Sequence, residues 1–160
     1  KLAHYNILEK LTDLHRNASK YISGYLVNND QDFEKGNFAI LSPSDVGFHN
    51  VIKGKDSNYF IDFEYAGKDD PYKLLADLLI HPDWIPNRLD SKSLLKILNS
   101  VLHENDQNID FRRLSAMMQI YQLKWIVIML KNSRDYPDDK LVFKINNYAN
   151  DATLRRDGIC

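Results

Sequence analysis

The chain has 160 residues, of which 44% are hydrophobic and 27% charged, and its formal net charge is −1. This is typical of one globular domain, residues 1–160, with its own core. The small charge and the lack of a long apolar run argue against a nucleic-acid or membrane partner. The one cysteine, Cys160, is the last residue. No internal disulfide can form, which favours a reducing, cytoplasmic location.

The first half of the chain predicts one helix followed by short strands. Apolar residues at steps of three and four indicate an amphipathic helix over roughly residues 2–27. A polar loop follows, and then a short apolar strand from Phe38 to Leu41. Two apolar segments, Val51-Ile52 and Tyr59 to Ile61, flank a turn-forming stretch at residues 54–58 and predict a β-hairpin.

The second half predicts helices only. Asp70-Pro71 is a helix start, with Asp as N-cap and Pro at the first helical position, and His81-Pro82 ends that helix. Another helix opens at Asp90-Ser91. The longest helix extends from about Phe111 to Ile128, and a last one follows Tyr136-Pro137. The predicted fold class is therefore mainly α with a small β-hairpin, in the α+β sense.

The longest helix contains the clearest prediction about the core. Its segment from Trp125 to Leu130 is apolar on nearly every side. A helix that is apolar all round is usually buried. We therefore expect this helix to be the buried central helix, with the ring of Trp125 buried.

Three polar residues lie on or beside the predicted hairpin. Asp45 and Asn50 are five positions apart in a loop, and Asp62 ends the next strand. Phosphoryl transfer from a nucleotide requires a carboxylate that accepts the proton of the attacking hydroxyl, and oxygen ligands that hold Mg²⁺ on the phosphates. These three side chains supply that set. The structural alternative is that Asp45 caps a turn and Asp62 only ends a strand.

The same residues resemble a known family, the C-terminal lobe of the aminoglycoside phosphotransferase and choline kinase group, which is related to protein kinases. That family has His-Gly-Asp-x-x-x-x-Asn, a hairpin, and then Ile/Val-Asp-Phe/Trp-Glu, commonly followed by Tyr-Ala-Gly and Asp-Pro. Here Asp45-x4-Asn50, the segment from Ile61 to Gly67, and Asp70-Pro71 match. The resemblance implies a kinase-like C-lobe with its catalytic hairpin at about residues 38–67. It also implies that Asp45 is the catalytic base and that Asn50 and Asp62 are Mg²⁺ ligands.

The chain departs from the family pattern in two places. Pro43 and Ser44 replace the family His and Gly, which affects the usual hydrogen bonds of the loop. Leu74 stands where an Asp is often found, and Asp77 is a candidate for that structural role one helical turn later. No Gly-rich loop and no strand-borne Val-Ala-x-Lys pattern are present. We therefore expect either a C-lobe cut from a longer protein that carries the N-lobe, or a truncated relative, and we expect the isolated chain to be inactive or nearly so.

Two acidic residues beyond Asp62 are weaker candidates. Glu64 and Asp69 could meet a cationic substrate, whereas the simpler interpretation is a solvated loop that precedes a helix N-cap. His49 and His81 have no second His or Cys at ligand spacing, so we expect no zinc site. For a histidine next to Pro at a helix end, a capping or packing role is the more common one.

The predicted function is transfer of the γ-phosphate of ATP, or of GTP, to a hydroxyl of a small molecule, with Mg²⁺ as cofactor. The resemblance implies a sugar, an amino sugar or an amino alcohol as acceptor. One alternative is a non-catalytic kinase-like module that binds or regulates a partner. Another is a helical interaction domain, which leaves the Asp62-Phe63-Glu64 segment unexplained.

Overall fold

The computed structural model describes residues 8–20, 23–24, 39–83, 88–103, 108–131 and 139–159. Residues 8–20 are helical and are named α1. The strands are β1 (Ile40–Ser42), β2 (Val51–Lys53), β3 (Asn58–Phe60) and β4 (Gly67–Asp69), with a short 3₁₀ helix, Phe48–Asn50, before β2. The later helices are α2 (Pro71–Ile80), α3 (Arg88–His103), α4 (Phe111–Lys131) and α5 (Asp139–Asp157). The predicted class, mainly helical with a small hairpin, is confirmed.

The predicted hairpin is formed by β2 and β3. The strands pair antiparallel, with Val51 opposite Phe60 and Lys53 opposite Asn58. The backbone N–H of Gly54 donates to the carbonyl of Ser57 at 2.8 Å and closes the turn. The apolar segments flanking a turn therefore gave the correct strand partners.

A second two-stranded sheet was not predicted. β1 pairs antiparallel with β4, so that Ile40 lies opposite Asp69 and Ser42 lies opposite Gly67. The sequence of β4 is Gly-Lys-Asp, which has neither the alternation nor the β-branched residues that indicate a strand. Its residues pair with partners 25 to 29 positions earlier in the chain, and a local sequence pattern does not indicate such a distant contact.

Helix α2 begins and ends where the sequence predicts. Asp70 is the N-cap, with φ −78° and ψ 124°, and its carboxylate accepts the backbone N–H of Tyr72 at 2.9 Å. Pro71 occupies the first turn, where a missing N–H costs nothing. The helix ends at Ile80 with His81 as C-cap. This helix is the most deeply buried element of its part of the chain, and it supports the loop and strands that carry the predicted site residues.

The chain divides into two compact units. One contains the four strands with α2 and α3, and the other contains α1, α4 and α5. In the helical unit, Gln122 on α4 is buried and donates to the carbonyl of Ala149 on α5 at 2.7 Å. None of the helices in the described ranges combines the length and hydropathy needed to cross a membrane.

The prediction that the ring of Trp125 is buried is wrong. Trp125 is only partly buried, and the ammonium of Lys124 lies 4.9 Å from the centre of its ring. The next residue, Ile126, is 1% exposed and takes the core position, whereas Val127 is 50% exposed. An apolar segment therefore does not reveal which face of α4 is covered. The more polar part of the helix, with Leu114 and Gln122, contains more buried residues than the apolar segment does.

Candidate functional site

The loop after β1 places Asp45 by means of a tight turn. Ser42 is buried, and its hydroxyl oxygen accepts the backbone N–H of Ser44 at 3.0 Å. The N–H of Asp45 donates to the carbonyl of Pro43 at 2.9 Å, which closes a three-residue turn around Ser44. Ser44 has φ 68°, a left-handed backbone conformation that residues other than glycine adopt only at an energetic cost. The turn therefore directs the chain sharply away from β1 immediately before Asp45.

Asn50 connects this loop to the end of β3. Its side chain is nearly buried, and Nδ2 donates to the backbone carbonyl of Asp45 at 3.1 Å. Its own backbone carbonyl accepts the N–H of Ile61 at 2.9 Å. With Nδ2 engaged, the amide oxygen Oδ1 is the group that can accept or coordinate, and such an oxygen suits Mg²⁺. Asn50 thus contacts both the loop of Asp45 and the residue that precedes Asp62.

Asp62 follows β3 in a left-handed conformation, with φ 62°. Asp tolerates this region better than most residues, although it remains uncommon. The side chain is exposed, so its carboxylate is accessible to a ligand. Backbone conformations of this kind are often found at functional sites, where the surrounding structure maintains them. The hydrogen bond from Ile61 to Asn50 fixes the residue next to Asp62 beside the predicted amide ligand.

The two weaker candidates have different surroundings. Glu64 is exposed, and it raises the pKa of Tyr65 by accepting a hydrogen bond from the Tyr65 hydroxyl and by its negative charge, with smaller contributions from desolvation and from Asp62. Asp69 is much less exposed, forms an ion pair with Lys73 of α2, and accepts the backbone N–H of Asp70 at 2.9 Å. These contacts favour the interpretation that Asp69 has a structural role.

Lys73 has a similar structural role at the loop that precedes Asp45. Besides its pair with Asp69, its ammonium donates to the hydroxyl oxygen of Ser44 at 3.3 Å. Both hydrogen bonds run from α2 to the sheet side of the same unit. Lys73 therefore ties the strained turn before Asp45 to the helix that Asp70 caps. A lysine on a helix carries no sequence signal for such a role, and it was not predicted.

Two histidines lie next to Asp45. The Nε2 of His49 is 3.5 Å from Oδ2 of Asp45, and the rings of His49 and His81 are stacked with their centres 6.0 Å apart. His81 is buried at the end of α2, and its Nδ1 accepts the backbone N–H of Asp83 at 3.2 Å. The packing and capping role expected for His81 fits this position. The contact of His49 with Asp45 was not predicted.

Burial dominates the protonation of His81. Desolvation lowers the pKa of His81 below its ordinary value, because the charged imidazolium is disfavoured away from water. The carboxylates of Asp77, Asp83 and Asp45 act in the opposite direction, and His49 adds to the lowering. The net effect of these surroundings is to favour the neutral form of His81.

A cavity of about 290 Å³ lies beside the same loop. Its walls are mostly apolar, with an amide and an imidazole as polar groups. The lining residues are Val46, Gly47, Val51, Asn58, Phe60, Leu78 and His81. The cavity shares Gly47 and His81 with the surroundings of Asp45, and its first wall residue follows Asp45 in the chain.

The donor set for a metal is small. Among the described residues, no group of three or more His, Cys, Asp or Glu side chains is arranged to hold a metal ion. The predicted ligands, one amide and one carboxylate, form a smaller set of hard oxygen donors, of the kind that binds Mg²⁺ together with water and phosphates. Comparisons with protein-family models, with curated proteins and with solved structures found no match.

Proposed function

We propose that this chain supplies the base-bearing and metal-binding part of a small-molecule phosphotransferase. One observation carries the proposal: Asn50 hydrogen-bonds to the backbone of Asp45 and to the residue before Asp62. The three residues that the reaction needs are thereby linked through one buried amide residue. Asn50 and Asp62 are the protein ligands for Mg²⁺, which, when bound, neutralises charge on the phosphates.

The turn at Ser44 supports the kinase-like assignment. The resembling family has Gly at this position, and Ser44 adopts a positive φ, which glycine tolerates best. The hydroxyl of Ser42 accepts the Ser44 N–H, and Lys73 donates to the Ser44 hydroxyl. These side-chain hydrogen bonds stabilise the turn in the absence of the family's His and Gly.

Asp45 is the residue of this chain that takes a direct part in the proposed reaction. The carboxylate of Asp45 accepts the proton of an acceptor hydroxyl while that oxygen forms its bond to the γ-phosphorus of ATP or GTP. The bond from the γ-phosphorus to the bridging oxygen breaks, and the nucleoside diphosphate leaves. The products are a phosphorylated alcohol, the diphosphate and a proton on Asp45 that passes to water.

The acceptor in this proposal is a sugar, an amino sugar or an amino alcohol. The cavity beside Val46 provides space for its body, and the exposed carboxylate of Glu64 is the candidate contact for a cationic group. The proposal includes a cytoplasmic location and a nucleotide-covering lobe elsewhere in the natural protein. The nucleotide-covering lobe follows from the resemblance, and the location follows from cysteine usage.

The test is phosphate transfer from γ-labelled ATP or GTP to a panel of hydroxylated acceptors by the natural protein that contains this chain. Asp45→Asn should lower kcat about 10²–10⁴-fold with nucleotide affinity retained, since only the proton acceptor is lost. Asp62→Asn should weaken Mg²⁺-dependent nucleotide binding and turnover together. Asp56→Asn, at an exposed carboxylate in the β2–β3 turn, is the matched control and should change neither. Normal turnover by the Asp45 variant would rule out its role as base.

A non-catalytic kinase-like module is the second candidate. Its specific support is an exposed apolar surface on one face of the hairpin, where Ile52 and Tyr59 lie opposite each other and are each more than half exposed. Such surfaces often mark a protein contact. If this candidate is correct, no acceptor is phosphorylated, and Ile52→Lys weakens binding of the partner while Asp45→Asn leaves it unchanged.

A further inference from the structure

The carboxylate of Asp45 needs a fixed orientation if it is to act as a base. Asn50 holds only the backbone carbonyl of Asp45, and the Asp45 side chain is 46% exposed. Among the described residues, the polar side chain in contact with that carboxylate is His49, whose Nε2 lies 3.5 Å from Oδ2. This separation is slightly longer than a good hydrogen bond, and catalytic contacts of this kind commonly shorten when substrate binds.

The ring of His49 is held in place from two sides. A Cβ at Gly47 would lie 2.3 Å from Cε1 and 2.4 Å from Nδ1 of His49, so the ring rests directly on the Gly47 backbone. On another side it stacks on His81, with an angle of 29° between the ring planes. The Nδ1 edge thus faces Gly47, while Nε2 points toward Asp45.

His81 provides a firm support for this stack. It is 4% exposed and caps α2, and the backbone N–H of Asp83 fixes its Nδ1 at 3.2 Å. A Cβ at Gly47 would also come within 3.3 Å of Nε2 of His81. The two rings and the bare glycine backbone therefore form one packed group, which is anchored in the core by α2.

We infer that His49 is a positioning residue that orients the carboxylate of Asp45, and that His81 and Gly47 hold His49 in place. The use of that orientation in proton transfer rests on the proposed function. A base displaced by a fraction of an ångström from its productive geometry loses much of its efficiency. A group that acts through another typically changes activity by about 10–100-fold when it is removed.

Two substitutions separate the donor from the ring. His49→Phe keeps a flat ring against Gly47 and His81 but removes the N–H, whereas His49→Gln keeps an N–H donor near the position of Nε2. In the phosphotransfer assay, His49→Phe should lower kcat about 10–100-fold with the KM values for nucleotide and acceptor unchanged. His49→Gln should recover most of that loss. His103→Phe, the same change at an exposed histidine of α3, should leave the rate unchanged.

A spectroscopic measurement on the 160-residue chain tests the inference without catalysis. Three-bond couplings across χ1 of Asp45 should report one dominant rotamer in the wild type and in His49→Gln, and an average over rotamers in His49→Phe. Gly47→Ala, whose new methyl group displaces the His49 ring, should produce the same averaging. Amide spectra of each variant check that the fold is retained. We expect the His49 variants to fold, because His49 is half exposed and its replacement leaves the core intact.

The outcomes distinguish this inference from the proposed function. Unchanged Asp45 couplings in both His49→Phe and Gly47→Ala would overturn the positioning role, whatever the rates show. Equal losses of kcat in His49→Phe and His49→Gln would also overturn it, because the donor would then not matter. If the couplings change as expected but no acceptor is ever phosphorylated, the proposed function fails and the positioning of Asp45 stands.

Discussion

The left-handed backbone at Asp62 makes a prediction about stability that is separate from chemistry. Asp62→Gly and Asp62→Ala both remove the carboxylate, so any effect of charge or metal binding is common to the two variants. They differ in the backbone preference of the new residue. At φ 62° glycine is unstrained, whereas the Cβ of alanine is crowded against the following carbonyl.

The expected difference follows from two opposing terms. An L-residue in this region costs about 1–2 kcal/mol relative to its preferred conformations. The glycine variant avoids this strain, but its more flexible unfolded chain loses about 0.5–1 kcal/mol more conformational entropy on folding. The free energy of unfolding of Asp62→Gly should therefore be about 0.5–1 kcal/mol higher than that of Asp62→Ala, because the backbone strain of alanine is larger than the extra entropy loss of glycine.

Urea denaturation at neutral pH measures this difference, and a second position supplies the control. Among the described residues other than glycine, positive φ occurs at Ser44 and Asp62, so Asp56 in the β2–β3 turn has an ordinary backbone. There the order should reverse, with Asp56→Ala more stable than Asp56→Gly by about 0.4–1 kcal/mol. If the Ala variant is the more stable one at both positions, Asp62 is not left-handed in solution, and the strain argument for this site fails.

Three further predictions concern the surroundings of the site and the helical core. Asp70→Ala should lower the free energy of unfolding by about 1 kcal/mol, because the backbone N–H of Tyr72 loses its N-cap acceptor; urea denaturation checks this. Ile126→Ala should cost about 2–5 kcal/mol and more than Trp125→Ala, since Ile126 is buried and Trp125 is partly exposed; a Trp125 loss at least as large would contradict the core described for α4. Burial lowers the pKa of His81 in the folded state, so the stability that its neutral form contributes is present above its unfolded pKa of about 6.5 and is lost as pH falls below that value. The free energy of unfolding should therefore decrease from about pH 7.5 to about pH 5, and His81→Gln should make this decrease smaller.

Local chemistry explains which parts of the fold were predictable. The start of α2 is set by Asp70 and Pro71 within a few residues, and the hairpin by apolar segments on either side of a turn. The pairing of β1 with β4 was not predictable, because Gly67-Lys68-Asp69 is a strand only by virtue of a distant partner. Trp125 was misplaced for a similar reason, since the covered face of α4 depends on what packs against it.

In the candidate site, too, local sequence predicted some features, while others depend on distant contacts. The sequence spacing identified Asp45, Asn50 and Asp62, and the structure links them through Asn50. Its side-chain amide donates to the backbone carbonyl of Asp45, and its backbone carbonyl accepts the N–H of Ile61, the residue before Asp62. The contact of His49 with Asp45 is also close in sequence, yet it depends on stacking against His81 from α2, which no local pattern records. Supporting contacts of this kind join elements that fold together from separate parts of the chain.

The most direct test of the account is whether Asn50 and Asp62 share one divalent cation near Asp45. Mn²⁺ accepts the same oxygen ligands as Mg²⁺ and broadens the nuclear resonances of groups close to it. Titrated into the isotope-labelled chain with a non-hydrolysable ATP analogue, it should first broaden the side-chain amide of Asn50 and the backbone amide of Asp62. Asp62→Asn should abolish this selective broadening, and Asp56→Asn should leave it unchanged. Broadening centred on another surface, or broadening that persists in Asp62→Asn, would contradict the proposed site.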